Sequence, residues 1–330
     1  MIRAELVSLQ DVQDAQLRIR NAVRRTPLVS APLPEVGGSP VEGSLDRLWL
    51  KCENLQRVSA FKARGAYHFV TRLTSEEREA GLLTYSSGNH AQAVAFAARQ
   101  FKVPAKVVMP IDAPKVKRLA TIALGADVEF EGTTSSERKR RAEKIQQEQG
   151  GTMVPPFDDP DIIAGQGTVG LELVSQLGSK KPGLVLAPIG GGGLVSGVAV
   201  ALKGLHPEAR MVGVEPTGAA SMLRSREGGG PITLDSVSTV ADGLKPVRPG
   251  DLTFAHCENL VDEVVTVDDD SIRDAVRWLF NLGLVVEPSG AATVAALLQS
   301  VVEPGVEGET VAILSGGNIE PSLLVEWLQA

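Results

Sequence analysis

Short apolar runs rich in β-branched residues alternate along this chain with longer stretches whose apolar side chains recur at helical spacing. A compact apolar run bounded by polar turns reads as a strand, and recurrence every three or four residues reads as an amphipathic helix. Strands are therefore predicted at Leu48–Glu53, Leu82–Ser86, Ala105–Met109, Asp127–Phe130, Leu184–Ile189, Met211–Val214, Val264–Val267 and Val311–Leu314. Helices are predicted at Asp11–Arg24, Asn89–Phe101, Lys115–Leu124, Ser135–Gln149, Ala164–Leu177, Leu194–Leu205 and Asp270–Leu282. This alternation implies βα units: an α/β fold with parallel sheets and helices on both faces. Such sheets bind ligands at the carboxyl ends of their strands, so the loops running from strand into helix are where chemistry is sought. Pro- and Gly-rich punctuation falls at Val36–Pro40, Gly150–Pro160 and Glu227–Pro231. The second cluster follows a polar helix and is a candidate crossing between two lobes.

Composition narrows the function classes. With 330 residues, 43% hydrophobic and 22% charged, the chain can bury one large core or two modest ones. A formal net charge of −7 disfavours nucleic acid and anionic membrane surfaces as partners. The one basic run, Arg138 to Arg141, reads as a solvated helix face. The two cysteines, Cys52 and Cys257, stand far apart and form no metal-binding spacing, which fits a reducing compartment. The amino terminus lacks the apolar core of a signal peptide, and no run approaches the ~20 apolar residues of a membrane span. The protein is read as cytoplasmic.

Four strand-to-helix loops carry candidate chemistry. After Leu184–Ile189 come Gly190, Gly191, Gly192 and Gly193, which would bare backbone amides at a helix start, a natural seat for phosphate. No Gly-Lys-Ser/Thr follows, and the sixth position of a dinucleotide fingerprint is Val195 or Ser196, so neither nucleotide motif is present. After Leu82–Tyr85 come Ser86, Ser87, Gly88, Asn89 and His90, a cradle of hydroxyls and amides suited to a carboxylate. His90 there contributes its amide or structure rather than acting as a base. Lys62 follows Phe61 at the start of a helix-forming run, and Ser315-Gly316-Gly317-Asn318 closes the last strand. A phosphate loop, an amine and two hydroxyl-lined loops together suggest a phosphorylated aldehyde cofactor.

The motifs resemble a known family. Ser59-Ala60-Phe61-Lys62-Ala63-Arg64-Gly65-Ala66 is similar to the S-F-K-x-R-G-A signature of fold-type II (tryptophan synthase β-like) pyridoxal-phosphate enzymes. Ser86–His90, Gly190–Gly193 and Ser315–Asn318 match its other loops in order, and the likeness runs from Thr26 to Asn318. Phe157-Asp158-Asp159 and Ala164–Thr168 resemble the serine/threonine dehydratase and serine racemase branch.

The resemblance implies pyridoxal 5'-phosphate held as a Schiff base on Lys62, its phosphate on Gly190–Gly193. Asn89 would meet the ring hydroxyl, Phe61 would pack near the ring, and Ser315 would contact the pyridine nitrogen. Lys62 would also be the base at the substrate Cα. Ser86, Ser87, Asn89 and the His90 amide would bind the substrate carboxylate, with Ser87 able to exchange a proton on the opposite face. A large domain (1–73 and 157–330) and a small mobile one (74–156) are implied, in a homodimer. The activity implied is L-threonine/L-serine ammonia-lyase on a small hydroxy amino acid, with threo-3-hydroxyaspartate dehydratase or serine racemase as alternatives. Arg138 would then be a candidate for a second substrate carboxylate.

Departures from the pattern matter too. Ala60 stands where Ser is commoner, as in some hydroxyaspartate dehydratases, and Tyr85 stands where many relatives have His. Metal-dependent relatives use a Glu, a backbone carbonyl and an Asp; Glu215 and Ala219 fit, but Ser221 takes the Asp position and removes a charged ligand. A weak or monovalent site, or none, is implied. The chain runs only a few residues past Asn318, so the C-terminal regulatory domain of feedback-inhibited biosynthetic threonine dehydratases is not expected.

Overall fold

The computed structural model describes residues 5–32, 48–304 and 307–329. Ten strands run in chain order: β1 (Leu28–Ala31), β2 (Leu48–Cys52), β3 (Leu82–Tyr85), β4 (Ala105–Met109), β5 (Asp127–Phe130), β6 (Thr152–Met153), β7 (Pro182–Pro188), β8 (Arg210–Pro216), β9 (Glu263–Val267) and β10 (Glu309–Leu314). The first helices are α1 (Leu9–Ile19), α2 (Lys62–Arg72), α3 (Ser75–Glu79), α4 (Asn89–Phe101), α5 (Lys115–Ala123), α6 (Ser135–Gln149) and α7 (Pro160–Leu177). They are followed by α8 (Gly193–Leu205), α9 (Ser221–Gly228), α10 (Asp251–Leu260), α11 (Asp269–Asn281), α12 (Pro288–Leu298) and α13 (Pro321–Gln329).

The strands form two sheets. One has six strands in the order β1-β2-β10-β7-β8-β9, the other four in the order β5-β4-β3-β6. Every pairing is parallel except that of β1 with β2. The α/β class with parallel sheets and helices is thus the observed fold.

Alternation along the central strands explains why both faces of the larger sheet are covered. Leu184, Leu186, Ala312 and Leu314 point to a core shared with Val294 and Ala295 of α12. Their neighbours Val185, Ala187, Val311 and Ile313 point to the opposite core, with Leu173 of α7 and Val198 of α8. Successive side chains of a strand face opposite ways, so a strand with two buried faces reads as a continuous apolar run. Close helix crossings depend on glycine. A Cβ on Gly165 would come within 2.6 Å of Gly65 Cα, so α7 and α2 meet backbone to backbone next to Lys62.

All eight predicted strands and all seven predicted helices are present, with shifted ends. α1 starts at Leu9, because Ser8 and Asp11 form a reciprocal capping box, and stops at Ile19 instead of reaching Arg24. α7 starts at Pro160, capped by Asp159, rather than at Ala164. The edge strands β1 and β6 and the helices α3, α9, α10, α12 and α13 have no counterpart in the predicted pattern. The reason is clearest for α12: Pro288 to Leu297 are all buried, so no polar face marks its period. The punctuation at Val36–Pro40 lies outside the described residues. No helix among the described residues is long and apolar enough to cross a membrane.

Candidate active site

The β2-to-α2 connection places Lys62 as the first residue of its helix. That connection is stitched to the loop after β10: Phe61 N donates to Ser315 O at 3.1 Å, and Gly317 N donates to Ser59 O at 2.8 Å. Asn318 Nδ2 donates to Val58 O at 2.9 Å. Val58 and Ser59 adopt φ values of 54° and 50°, a left-handed backbone that is unfavourable for a β-branched residue and is held here by those neighbours.

Behind the lysine a buried ion network fixes α2. Arg64 reaches Glu53 through Nε at 2.8 Å and one terminal nitrogen at 2.7 Å, and meets both oxygens of Glu172 at 2.8 Å. Lys51 Nζ adds Glu172 at 2.7 Å, the Thr26 carbonyl at 2.9 Å and Gln176 at 2.9 Å. Burial opposes the Arg64 charge, but Glu53 and Glu172 outweigh it and hold the guanidinium protonated above its ordinary range. Lys62 itself has no such partner. Its Nζ donates to Pro156 O at 2.6 Å and lies 5.0 Å from the centre of the Phe61 ring. Burial alone pulls its pKa down to about 8.

The glycine loop joins β7 to α8, which starts at Gly193 after the left-handed Gly192 (φ 98°). The amides of Gly191, Gly192 and Gly193 find no acceptor among the described residues. Their carbonyls, by contrast, face away and are engaged: Gly191 O accepts from Thr253 Oγ1 at 2.7 Å, and Gly192 O from Ser196 N at 3.0 Å. The Phe157-Asp158-Asp159 run supports this loop. A Cβ on Gly191 would stand 2.2 Å from the Phe157 ring, and Asp158 accepts from the amides of Asp251, Leu252 and Thr253 at the start of α10.

The loop after β3 is the second helix start. Gly88 precedes α4 and its amide donates to Ser86 Oγ at 3.1 Å, while Asn89 and His90 open the helix. The first amides of a helix have no partner within it. The His90 ring is turned inward, with Nε2 3.1 Å from Val154 O. Burial, aided by the Lys62 charge, pushes its pKa down to about 3, so the ring stays neutral and is no base near pH 7. Phe61, Lys62, Ser86, Ser87, Asn89, His90, Gly190–Gly193 and Ser315 all line one cavity of about 370 Å³. A half-buried amine of lowered pKa between two free helix starts is an arrangement for a bound aldehyde, a phosphate and a carboxylate.

Comparison with known proteins agrees with that geometry. A family model described as "Pyridoxal-phosphate dependent enzyme" matches residues 19–316. The chain belongs to this family. An L-threonine ammonia-lyase of Thermotoga maritima is 42% identical over 97% of this chain and 77% of its own length. A catabolic L-threonine dehydratase of Escherichia coli strain K12 is 37% identical over 96% and 94%. Among solved structures, maize serine racemase superposes with a TM-score of 0.89 at 36% identity over 98% of both chains. A serine racemase from Dictyostelium discoideum superposes with a TM-score of 0.84 at 35% identity over 95% and 99%.

The cavity fits the cofactor of the pyridoxal-phosphate family. Its volume suits a small ligand, its unpaired glycine amides suit a phosphate, and Lys62 supplies a reactive amine. Ser315 Oγ lies in the same cavity, only weakly engaged by Ser289 O at 3.4 Å.

One reading of the sequence needs correction, and the surroundings of another can now be described. Arg138 does not belong to a solvated face: it is 8% exposed, lines the cavity and donates to Thr133 O at 3.0 Å, while its Nε has no partner. Glu215, Ala219 and Ser221 lie outside the cavity lining. Glu215 accepts from the amides of Met222 at 2.8 Å and Leu223 at 2.9 Å, so its carboxylate caps α9, and burial raises its pKa to about 7. No group of three or more His, Cys, Asp or Glu residues with metal-binding proximity occurs among the described residues.

The sequence reading also passed over Lys117, Asp242 and Glu287, which meet at the cavity wall. Only Glu287 carried a signal, as an acid set against the apolar Val285-Val286 and the helix-opening Pro288.

Proposed function

We propose that this chain is an L-threonine/L-serine ammonia-lyase, releasing a 2-oxo acid and ammonia by α,β-elimination. The observation that carries the reading is the convergence of Lys62 Nζ, the free glycine amides and the α4 start on one cavity. The names of relatives that are alike over nearly the whole chain support it.

In this reading the amides of Gly190–Gly193 hold the cofactor phosphate, Asn89 meets the ring hydroxyl, Phe61 packs at the ring and Ser315 faces the pyridine nitrogen. The bound cofactor supplies an electron sink for the charge left at Cα. Ser315, as a neutral hydroxyl, would keep that sink moderate, which suits prompt departure of the β-hydroxyl, protonated, as water. Ser86, Ser87 and the amides of Asn89 and His90 bind the substrate carboxylate at the positive end of α4. Lys62, with its pKa lowered to about 8, takes the proton from Cα. Ser87 serves the opposite face. The segment 74–156, which carries β3 to β6, acts as a small domain that closes over the substrate and excludes water. The enzyme works as a cytoplasmic homodimer.

Arg138 favours a second substrate. A guanidinium only 8% exposed, with an unpartnered Nε on the cavity wall, suits a side-chain carboxylate, as in threo-3-hydroxyaspartate. The deciding experiment measures 2-oxo acid and ammonia from purified holoenzyme with L-threonine, L-serine, D-serine and threo-3-hydroxyaspartate, in EDTA and in Mg²⁺. Turnover of threonine and serine that ignores EDTA supports the main reading. Metal-dependent turnover confined to hydroxyaspartate replaces it with the second.

A further inference from the structure

Lys117 belongs to α5, which lies between β4 and β5 of the four-stranded sheet, yet its ammonium ends among residues of the other sheet's unit. Its Nζ lies 2.6 Å from Asp242 Oδ2, in the short turn Asp242–Leu244, and 2.8 Å from Glu287 Oε2, just before α12. Gly88 makes room for it, since a Cβ there would stand 2.1 Å from Lys117 Cδ.

The two acids are not held alike. Lys117 directs a well-aligned hydrogen bond to Asp242, while its contact with Glu287 Oε2 at 2.8 Å is less well aligned and is chiefly one of charge. The other oxygen of Glu287 accepts from Asn89 Nδ2, and Asn89 Oδ1 accepts from Asn318 Nδ2 at 2.9 Å. An amide nitrogen has two hydrogens to give. With the oxygen end and one hydrogen of Asn89 assigned, its second N–H remains for the cavity that Asn89 lines. That assignment requires Glu287 to be an acceptor. Burial favours its neutral form, and the Lys117 charge is the main force opposing it.

We propose that Lys117 is a positioning residue, which reaches across the two sheets to keep Glu287 an acceptor and so fixes the Asn89 amide with one N–H toward the cofactor. The inference rests on the reading of Asn89 as the contact to the ring hydroxyl. It differs from a plain docking ion pair, because its effect on the cofactor must pass through Glu287.

The test is a double-mutant cycle on holoenzyme without substrate, read by the visible absorbance band and the cofactor dissociation constant. Lys117→Met is expected to shift the band and to weaken cofactor binding about tenfold, and Glu287→Leu, which removes the acceptor outright, to do the same. In the Glu287→Leu background Lys117→Met should then change binding less than about twofold, because coupled groups are non-additive. Equal losses in both backgrounds, or an unmoved band in Lys117→Met, would overturn the proposal. Should Lys117→Met not fold, as judged by circular dichroism, Glu287→Leu decides the matter alone. That variant keeps the Lys117–Asp242 pair, and an unshifted band there sinks the idea. No readout uses turnover, so failure on threonine would count against the ammonia-lyase reading and not against this one.

Discussion

The loop after β7 and the loop after β3 are the same piece of topology, a parallel strand running into a helix, built from opposite materials. The first is four glycines whose free amides are set by backbone alone, on the central strand of a sheet covered on both faces. The second adds the side chains of Ser86, Ser87 and Asn89, on a strand of the smaller sheet. Behind the glycines stand Phe157, Thr253 and the Asp158-capped α10, which leave little freedom. Hydroxyl rotors in the serine loop can redirect their hydrogens. A ligand that stays is thus met by fixed backbone dipoles, and one that comes and goes by groups that adapt.

In the proposed reading Lys62 serves both loops, so its removal is expected to have the largest effect. Lys62→Ala should abolish the visible absorbance of bound cofactor and lower turnover by roughly three orders of magnitude or more, since it removes both anchor and base. Absorbance spectra and a 2-oxo acid assay check this. Its lowered pKa adds a pH signature. Only the neutral amine captures an aldehyde, and the ammonium loses its proton as pH rises through about 8. The rate at which apoenzyme recovers its absorbance on adding cofactor should therefore rise with pH around that value. A rise centred near the ordinary lysine pKa of 10.5 would contradict the burial argument.

Gly191→Ala comes next and is aimed at the rigid loop. Its Cβ would land 2.2 Å from the Phe157 ring, where nothing can yield without moving the amides. Overpacking of this kind costs about 1–3 kcal/mol, or roughly 5- to 150-fold in cofactor affinity if it falls on the bound state. Cofactor titration by fluorescence is the check. Unchanged affinity would mean that these amides do not hold the phosphate.

How much of this was legible in the sequence follows from the same contrast. Strand-then-glycine and strand-then-serine are local patterns, and local patterns located both loops, Lys62 and all the central strands. The resemblance then assigned roles that spacing alone left open. What stayed hidden was set by partners far away in the chain. Arg138 sits in a run of charges that reads as solvated, and only the fold turns it inward. Lys117 pairs with Asp242, 125 residues on, and nothing in its own neighbourhood marks it. α12 was invisible because complete burial erases the polar face that gives a helix its period.

In the adaptable loop, Ser87→Ala is expected to remove any racemisation while sparing elimination from L-substrates. The lost hydrogen bond to a carboxylate should raise KM roughly 10- to 150-fold, from the ~1.5–3 kcal/mol typical of charged partners. Chiral chromatography of residual serine, beside steady-state kinetics, reads both effects. Racemisation that survives would remove Ser87 from the second face.

The smallest effect draws the comparison most finely. Thr253 touches neither ligand in the proposed reading; it holds Gly191 O at 2.7 Å from behind and so turns the loop's carbonyl away from the cavity. Thr253→Val keeps the shape and deletes that hydrogen bond, together with the longer contact of the same hydroxyl to Gly250 O at 3.3 Å. A buried neutral hydrogen bond contributes about 1 kcal/mol, so cofactor affinity should fall about fivefold. If the two loops are independent, as their separate sheets suggest, the KM of threonine measured at saturating cofactor should not move. A parallel rise in KM would show instead that the glycine loop's rigidity is transmitted to the serine loop. The fixed and the adaptable sites would then be one mechanical unit joined through α2 and the cofactor itself.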